Sequence, residues 1–187
     1  MIIKENTIDN GCVNVTIKTI RTSLTEEALS VFKTIAYESK YLQIKTADVV
    51  AMQNYDMAKL LAEGCFSNNK WLIGAYVDDM CVGGVMLTRD KNDLRSHRGE
   101  VHIALLQEYQ QKGIGNLLLH TALKVAKEAG IKFVEANVLT TNIQAIKLFQ
   151  NLGFQQVAYI NDYILKDHQY YDTYYMIKNL NAEACYD

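Results

Sequence analysis

The sequence predicts an α/β protein, and three kinds of observation support this class. Short apolar runs typical of strands alternate with longer segments in which apolar residues recur at helical spacing. Asp78-Asp79 lies between two of the apolar runs, as a turn lies between the strands of a β-hairpin. A glycine-containing segment, residues 110–115, separates another apolar run from an amphipathic one, which predicts a strand, a turn and a helix in that order.

Length and composition predict one globular domain. With 187 residues, of which 49% are hydrophobic and 21% charged, the chain is long enough to bury a core. We expect residues 1–187 to form this domain, with flexible ends at 1–12 and 181–187. The net charge of −2 gives no reason to expect a nucleic acid or an anionic membrane as a partner. No apolar run approaches the roughly 20 residues that a transmembrane helix needs.

The four cysteines predict neither a metal site nor a disulfide framework. They are Cys12, Cys65, Cys81 and Cys185, with no C-x-x-C pair and no histidine at ligand spacing. Free thiols in a reducing compartment are the simpler interpretation, and the N-terminus lacks the apolar core of a signal peptide. We therefore expect a cytoplasmic protein without a metal.

The first half of the chain predicts one strand, two helices and a hairpin. Residues 13–20 alternate as in a strand, with Val13, Val15 and Ile17 on one face. Acidic residues at 26–27 follow a capping segment, so a helix is expected from about 24 to 39, and a second helix over 47–65. Strands over 71–77 and 80–88 flank the aspartate turn, and the polar residues 90–96 form a loop.

The second half predicts two strand–helix units and a final strand pair. Residues 100–106 alternate little, so we expect a central strand that is covered on both faces. Apolar residues at helical spacing predict helices over 113–129 and 142–152, each ended by a glycine, and residues 133–139 form the strand between them. Strands over about 154–163 and 170–177 complete the order β-α-α-β-β-β-α-β-α-β-β.

Segment 110–115, of sequence QQKGIG, is the strongest indication of function. Consecutive backbone N–H groups at a helix start have no acceptor within the helix, and the helix dipole adds partial positive charge there. Glycine allows the backbone to turn tightly and to approach a ligand closely. The segment therefore predicts a site for a polyphosphate group.

The same segment carries a family resemblance. QQKGIG fits the acetyl-CoA signature of the GCN5-related N-acetyltransferase (GNAT) superfamily, which is Gln or Arg, two residues, Gly, one residue, and Gly or Ala. A second segment, with Asn142 and Ala145 followed by Gly153-Phe154, stands at the usual separation in that family. Residues 71–177 therefore resemble the GNAT superfamily. A Rossmann dinucleotide site would need a third glycine where this chain has Leu118, so we reject that alternative.

The resemblance implies a fold and a cosubstrate. The expected fold is a mixed central sheet of six to seven strands with about four helices. The fourth and fifth predicted strands, 100–106 and 133–139, are expected to splay apart and to hold acetyl-CoA. The implied cosubstrate-binding residues are Leu105, Leu106, Gln110, Gln111, Lys112, Gly113, Ile114, Gly115, Asn142, Ala145 and Phe149.

Two of these residues have open alternatives. Lys112 either adds positive charge to the cradle or points to solvent. Asn142 either caps a helix or binds the pantetheine arm of acetyl-CoA, and both roles are compatible.

The implied reaction is attack of a neutral amine on the acetyl thioester, which needs a base because a protonated amine has no lone pair. Glu100 and His102 are the candidate bases, since residues two apart in a strand share one face. Their structural alternatives are a surface carboxylate and a satisfied core histidine. Glu135 and Asn137 share a face of the neighbouring strand and are weaker candidates.

The general acid is a departure from the family pattern. Many members carry Tyr where this chain has Phe149, and phenylalanine donates no proton. A tyrosine between Tyr159 and Tyr175 is an alternative donor, or the thiolate leaves unaided. Tyr170 or Tyr171 lines the acceptor pocket in one interpretation and only packs in the other.

Three functions follow from these observations. The first is acetylation of a primary amine in a small molecule, the second is acetylation of a protein or peptide, and the third is a non-catalytic acyl-CoA sensor. The sequence carries no motif that specifies the acceptor. The oligomeric state is also open, although dimers are common in similar proteins, so a homodimer is one expected assembly.

Overall fold

The computed structural model describes residues 6–9 and 14–181 of the protein. The strands are β1 (Asn6–Asp9), β2 (Asn14–Thr19), β3 (Lys70–Val77), β4 (Met80–Arg89), β5 (Arg98–Leu105), β6 (Phe133–Leu139), β7 (Gln155–Lys166) and β8 (Gln169–Asn179). The helices are α1 (Thr25–Glu38), α2 (Thr46–Ala51), α3 (Asn54–Phe66), α4 (Ile114–Glu128) and α5 (Ile143–Asn151). Short 3₁₀ turns lie at Thr22–Leu24, Asp93–Arg95 and Gln107–Tyr109.

The strands form one mixed sheet of the predicted class. Their order is β1-β2-β3-β4-β5-β6-β8-β7, and β5 and β6 are parallel whereas the other neighbours are antiparallel. The sheet has one strand more than the six to seven expected. This strand, β1, lies within the segment 1–12 for which a flexible end was predicted. Residues 1–5, 10–13 and 182–187 lie outside the described residues, and so does Val13 of the strand predicted over 13–20.

The described residues contain one α-helix more than the four expected, because the helix predicted over 47–65 is two helices. The backbone is extended at Met52, and Gln53 then starts α3 with a capping box in which the Asp56 carboxylate accepts from the Gln53 N–H at 3.0 Å. The Asp78-Asp79 turn has φ of 49° and 63°, as the tight hairpin predicted there requires.

The sheet lies between two helical layers. α4 and α5 pack on one face, where Ile114, Leu118 and Leu119 have no solvent exposure. α1 and α3 pack on the other face, over Ile20 and Leu72. None of the helices within residues 6–9 and 14–181 is long and apolar enough to cross a bilayer. Cys65 and Cys81 are free thiols, and Cys12 and Cys185 lie outside the described residues.

The prediction that the strand at 100–106 is covered on both faces is wrong. β5 is central, but only its α4 face is covered: Val101 is 2% exposed, whereas the side chains of Glu100 and His102 are 43% and 44% exposed. Leu72 and Met86 contact α1 and α3 from β3 and β4, so the helical cover of that face lies over the neighbouring strands. This leaves two polar side chains of β5 accessible.

The predicted splay is present. Pairing between β5 and β6 is confined to Arg98–Glu100 on one strand and Phe133–Glu135 on the other. Beyond Glu100 the two strands diverge, while β5 stays paired with β4 as far as Leu105. The sheet therefore opens between its two parallel strands.

Candidate active site

A cleft of about 570 Å³ occupies the splay. β5, β6, the 110–115 turn, α5 and the loop between α1 and α2 form its walls. Most of the predicted site residues line it: His102, Leu105, Gln110, Gln111, Gly113, Gly115, Asn142, Ala145 and Phe149. Glu100, Leu106, Lys112 and Ile114 do not line it.

The backbone of β5 offers hydrogen-bonding groups to this cleft, but not at Leu106. The Leu106 N–H donates to Val82 O at 3.0 Å, and the Leu106 carbonyl accepts from the Tyr109 N–H at 3.0 Å. Backbone groups alternate sides along a strand, so those of Leu105 face away from β4, into the splay. The backbone groups of Leu106 are therefore already paired, contrary to the role implied for this residue. At Leu105 the carbonyl accepts from Gln110 Nε2 at 3.1 Å, and the N–H faces the cleft.

The 110–115 turn forms the predicted cradle of amides. Gln111 and Gly113 are left-handed, with φ of 60° and 78°, and Gly113 caps the 15-residue helix α4. Among the described residues, the N–H groups of Gln111, Gly113, Ile114 and Gly115 donate no hydrogen bond. Within α4, the N–H groups of Asn116 and Leu117 donate to Gly113 O at 3.1 and 3.3 Å.

The two glycines of the turn serve different purposes. Gly113 needs its left-handed backbone, which side-chain-bearing residues rarely adopt. Gly115 has no positive φ, so its backbone angles do not require glycine, and space is the remaining reason to exclude a side chain. A Cβ at Gly115 would lie 3.3 Å from Leu148 Cδ2 and 3.8 Å from the Cδ1 atoms of Ile103 and Leu105. Gly115 therefore keeps space beside the cleft.

The side chains of two neighbouring residues lie outside the cleft. The Ile114 side chain is fully buried in the core, so only its amide belongs to the cradle. The Lys112 ammonium lies 5.1 Å from the centroid of the Tyr109 ring and does not line the cleft.

The second predicted segment forms the opposite wall. Asn142 caps α5, since its side-chain oxygen accepts from the Ala145 N–H at 3.1 Å, and it also lines the cleft. Phe149 is 3% exposed and packs edge to face on Phe154, with 4.9 Å between ring centroids. Phe149 therefore supplies an apolar wall without a proton donor.

The two candidate bases form a pair. His102 Nε2 lies 3.5 Å from Glu100 Oε1, and Asn137 Nδ2 donates to the same oxygen at 3.3 Å. The hydrogen bond with His102 lowers the pKa of Glu100, against the opposing effect of burial, so this carboxylate is ionised at neutral pH. Only His102 of the pair lines the cleft, so of the two candidate bases it is the one that a molecule in the cleft can contact.

Glu135 has a structural partner instead. The Arg98 guanidinium pairs with the Glu135 carboxylate and donates from Nη2 to the Tyr175 hydroxyl at 2.9 Å. Burial raises the pKa of Tyr175 to about 12. Neither Glu135 nor Tyr175 lines the cleft. Both belong to the cluster that they form with Arg98.

The tyrosines of the last hairpin do not line the cleft. Tyr159 donates to Asp172, Tyr171 donates to Gln169 Oε1 at 3.0 Å, and Tyr170 is 60% exposed. The tyrosine that does line the cleft is Tyr41, in the loop between α1 and α2. No sequence motif marked Tyr41, because that loop becomes part of the site only through the tertiary fold.

The α1–α2 loop is held across the cleft by three long-range hydrogen bonds. Gln43 Nε2 donates to Asn137 O at 2.8 Å, and the Tyr41 hydroxyl donates to Thr141 O at 3.3 Å. Lys166 Nζ of β7 donates to Leu42 O at 3.1 Å. The loop therefore forms a roof that joins β6 to the last hairpin.

Comparison with known proteins identifies a family. Residues 34–154 match the model of the acetyltransferase (GNAT) family. The chain is 28% identical over 127 residues to N-alpha-acetyltransferase 30 of Xenopus laevis, a match that covers 65% of this chain and 46% of that protein. It is 24% identical over 105 residues to the L-amino acid N-acetyltransferase AaaT of Escherichia coli, a match that covers 56% of this chain and 65% of that protein. The chain thus spans less than two thirds of either relative.

Solved structures share the fold over nearly their whole length. A GNAT-family acetyltransferase from Streptococcus pneumoniae superposes with a TM-score of 0.82 at 23% identity, over 88% of this chain and 98% of that one. yncA of Salmonella typhimurium, a putative acetyltransferase solved with acetyl-CoA, superposes with a TM-score of 0.80 at 16% identity, over 93% of this chain and 98% of that one. At these identities the likeness establishes the fold.

Proposed function

The chain belongs to the acetyltransferase (GNAT) family, and on this premise we propose that it transfers an acetyl group from acetyl-CoA, the cosubstrate of this family, to a primary amine of a small molecule. One observation carries the proposal. The splay between β5 and β6 leads to a row of backbone amides, at Gln111 and 113–115, that have no acceptor among the described residues. Such a row at the start of a helix suits a diphosphate.

The chain supplies distinct groups for binding. The cradle amides would hold the diphosphate, while the backbone of Leu105 would pair with the extended pantetheine arm along the open edge of β5. An N–H on this edge is also suited to stabilise the negative charge that develops on the thioester oxygen. Asn142 and Phe149 would line the arm from the opposite side.

His102 would act as the general base. With its Nε2 proton towards Glu100, the neutral imidazole carries its lone pair on Nδ1, which accepts a proton from the attacking amine. The new C–N bond forms as the C–S bond breaks, and the coenzyme leaves as a thiolate. Tyr41 is the candidate to protonate that thiolate, because it is the cleft-lining tyrosine of the described chain; its hydroxyl would have to turn from Thr141 O to do so.

The roof over the cleft supports a small acceptor. A protein terminus needs an open groove, whereas the bond between Lys166 and Leu42 joins the α1–α2 loop to the last hairpin. The similarity to AaaT, named as an L-amino acid N-acetyltransferase, agrees with a small amine.

The second candidate function is acetylation of a protein N-terminus. It is favoured by the similarity to N-alpha-acetyltransferase 30 of Xenopus laevis. It requires the roof to open, since a peptide chain must lie across the position that Leu42 and Lys166 now bridge.

A paired assay tests these functions. The protein is incubated with acetyl-CoA and either a panel of small amines or a panel of peptides, while released thiol and acetylated products are followed. We expect turnover on small amines, and a loss of about 100-fold or more in kcat for His102→Gln with unchanged affinity for acetyl-CoA in calorimetry. Turnover on peptides alone would favour the second function. Tight binding without turnover on either panel would point to the non-catalytic sensor.

Three further properties stay predictions from the sequence. The scattered thiols favour the cytoplasm, and the small net charge gives no reason to expect a nucleic acid partner. A homodimer is an expectation from the family resemblance. Size-exclusion chromatography with light scattering tests the last of these.

A further inference from the structure

We propose that Asn137 is the positioning residue of this site: its side-chain amide fixes Glu100 against His102 and so keeps the base correctly oriented. The inference rests on the proposed function, in which His102 takes the proton of the amine. Asn137 itself exchanges no proton, which distinguishes this role from that of the weaker candidate base predicted from the sequence.

The orientation of the amide follows from chemistry. Asn137 Nδ2 lies 3.3 Å from Glu100 Oε1, the same oxygen that lies 3.5 Å from His102 Nε2. The reverse orientation would place the amide oxygen against an ionised carboxylate. Two donors from two strands therefore converge on one oxygen, and Asn137 limits rotation of the carboxylate away from the imidazole.

This orientation has a cost that stability alone does not explain. Asn137 Oδ1 is buried, and no donor within the described part of the chain reaches it. A buried acceptor without a partner is unfavourable, and an apolar residue of similar volume such as leucine avoids that cost. A polar residue kept at an energetic cost beside a candidate base indicates a functional role.

The backbone of Asn137 has a separate task. Its carbonyl accepts the hydrogen bond from Gln43 Nε2 that fixes the roof. A substitution at position 137 leaves this carbonyl in place, so it tests the side chain without removing the roof contact.

The surroundings of the pair contain few other charges. On β4, Met86 and Thr88 stand opposite His102 and Glu100 and do not titrate in the relevant range. Along β5 and β6, the next charged groups are Arg98 and Glu135, which pair with each other, and Tyr175 of β8 contacts Arg98. The α1–α2 loop contributes Tyr41 and the neutral Gln43 to the cleft. Glu100 is therefore the carboxylate that acts on His102 directly.

Asn137→Leu and Asn137→Asp provide opposite tests. We expect Asn137→Leu to fold with unchanged or higher stability, to lower kcat by about 10- to 100-fold and to keep its affinity for acetyl-CoA. Without Asn137 the carboxylate turns away, so the NMR titration midpoint of the His102 imidazole moves to lower pH. Asn137→Asp places a second negative charge beside the pair, so that midpoint moves to higher pH.

Thr173→Val is the matched control. The Thr173 hydroxyl is likewise buried without a partner among the described residues, on the neighbouring strand β8 and outside the cleft. Thr173→Val should change stability about as much as Asn137→Leu does, with kcat and the His102 titration midpoint unchanged. The NMR signal of His102 is assigned by its loss in His102→Gln.

The outcomes separate this inference from the proposed function. An unchanged His102 midpoint in Asn137→Leu overturns the positioning role, whatever Asn137→Asp shows and even if the wild-type protein acetylates amines. Midpoints that move in opposite directions support it even if no tested amine is acetylated, since the titration requires no turnover. A loss of stability in Asn137→Leu with an unchanged midpoint would show a merely structural residue.

Discussion

Replacing Gly113 with alanine tests the phosphate cradle. Gly113 has φ of 78°, and a residue with a Cβ pays about 1–2 kcal/mol to adopt that left-handed backbone. If the turn relaxes to avoid this strain, the amides at 113–115 move out of line with the diphosphate. A hydrogen bond to a charged group contributes about 1.5–3 kcal/mol, so loss of one weakens acetyl-CoA binding by about 10- to 140-fold.

Gly130 provides a matched control at the other end of the same helix. Its φ is 77°, and a Cβ there meets no atom within 4 Å, so Gly130→Ala carries the same backbone strain far from the cradle. We expect both variants to lose about 1–2 kcal/mol of unfolding free energy in urea titrations. Only Gly113→Ala should show weaker binding of acetyl-CoA in calorimetry. A Gly113→Ala variant that is destabilised like the control but binds acetyl-CoA with wild-type affinity would refute the cradle.

Three more predictions concern the roof, the acid and the carboxylate. Lys166→Met removes the hydrogen bond to Leu42 O, which contributes about 1 kcal/mol. The KM for the amine should therefore rise about fivefold, while the affinity for acetyl-CoA stays unchanged. An unaltered KM would show that the roof does not shape the acceptor site. Tyr41→Phe should lower kcat by about 100-fold without altering calorimetric affinity for acetyl-CoA, and a wild-type kcat would exclude Tyr41 as the acid. Hydrogen bonding to His102 lowers the pKa of Glu100 in the folded state below its ordinary value of 4.5. The ionised carboxylate therefore stabilises the folded protein above pH 4.5. This stabilisation is lost as the pH falls through the folded-state pKa. Urea titrations should thus show wild type more stable than Glu100→Gln at pH 7, with the difference shrinking below pH 4.5; a constant difference would contradict this linkage.

Local patterns predicted the parts of the site that lie close together in the chain. The 110–115 turn, its glycine in a left-handed conformation and the Asn142 cap depend on interactions among neighbouring residues, and each was expected from the sequence. The pairing of Glu100 with His102 also follows locally, because residues two apart share one face of a strand. The break at Met52 was missed, since helical spacing continues across the capping box at Gln53.

Other features depend on which elements the fold brings together. The covered and open faces of β5 were decided by helices that lie over the neighbouring strands, so apolar spacing within β5 alone was misleading. The side chain of Leu106 gave no indication that its N–H would be taken by Val82 O of β4.

The sequence by itself determined the α/β class, the amide cradle and the two residues that form the candidate base pair, because helix caps, glycine turns and strand alternation arise from contacts between residues near in the chain. Only the tertiary structure decided the roof, the place of Tyr41 and the contact of Asn137 with Glu100. Those contacts join residues up to 124 positions apart, and no local pattern encodes which distant strand or loop will supply the partner.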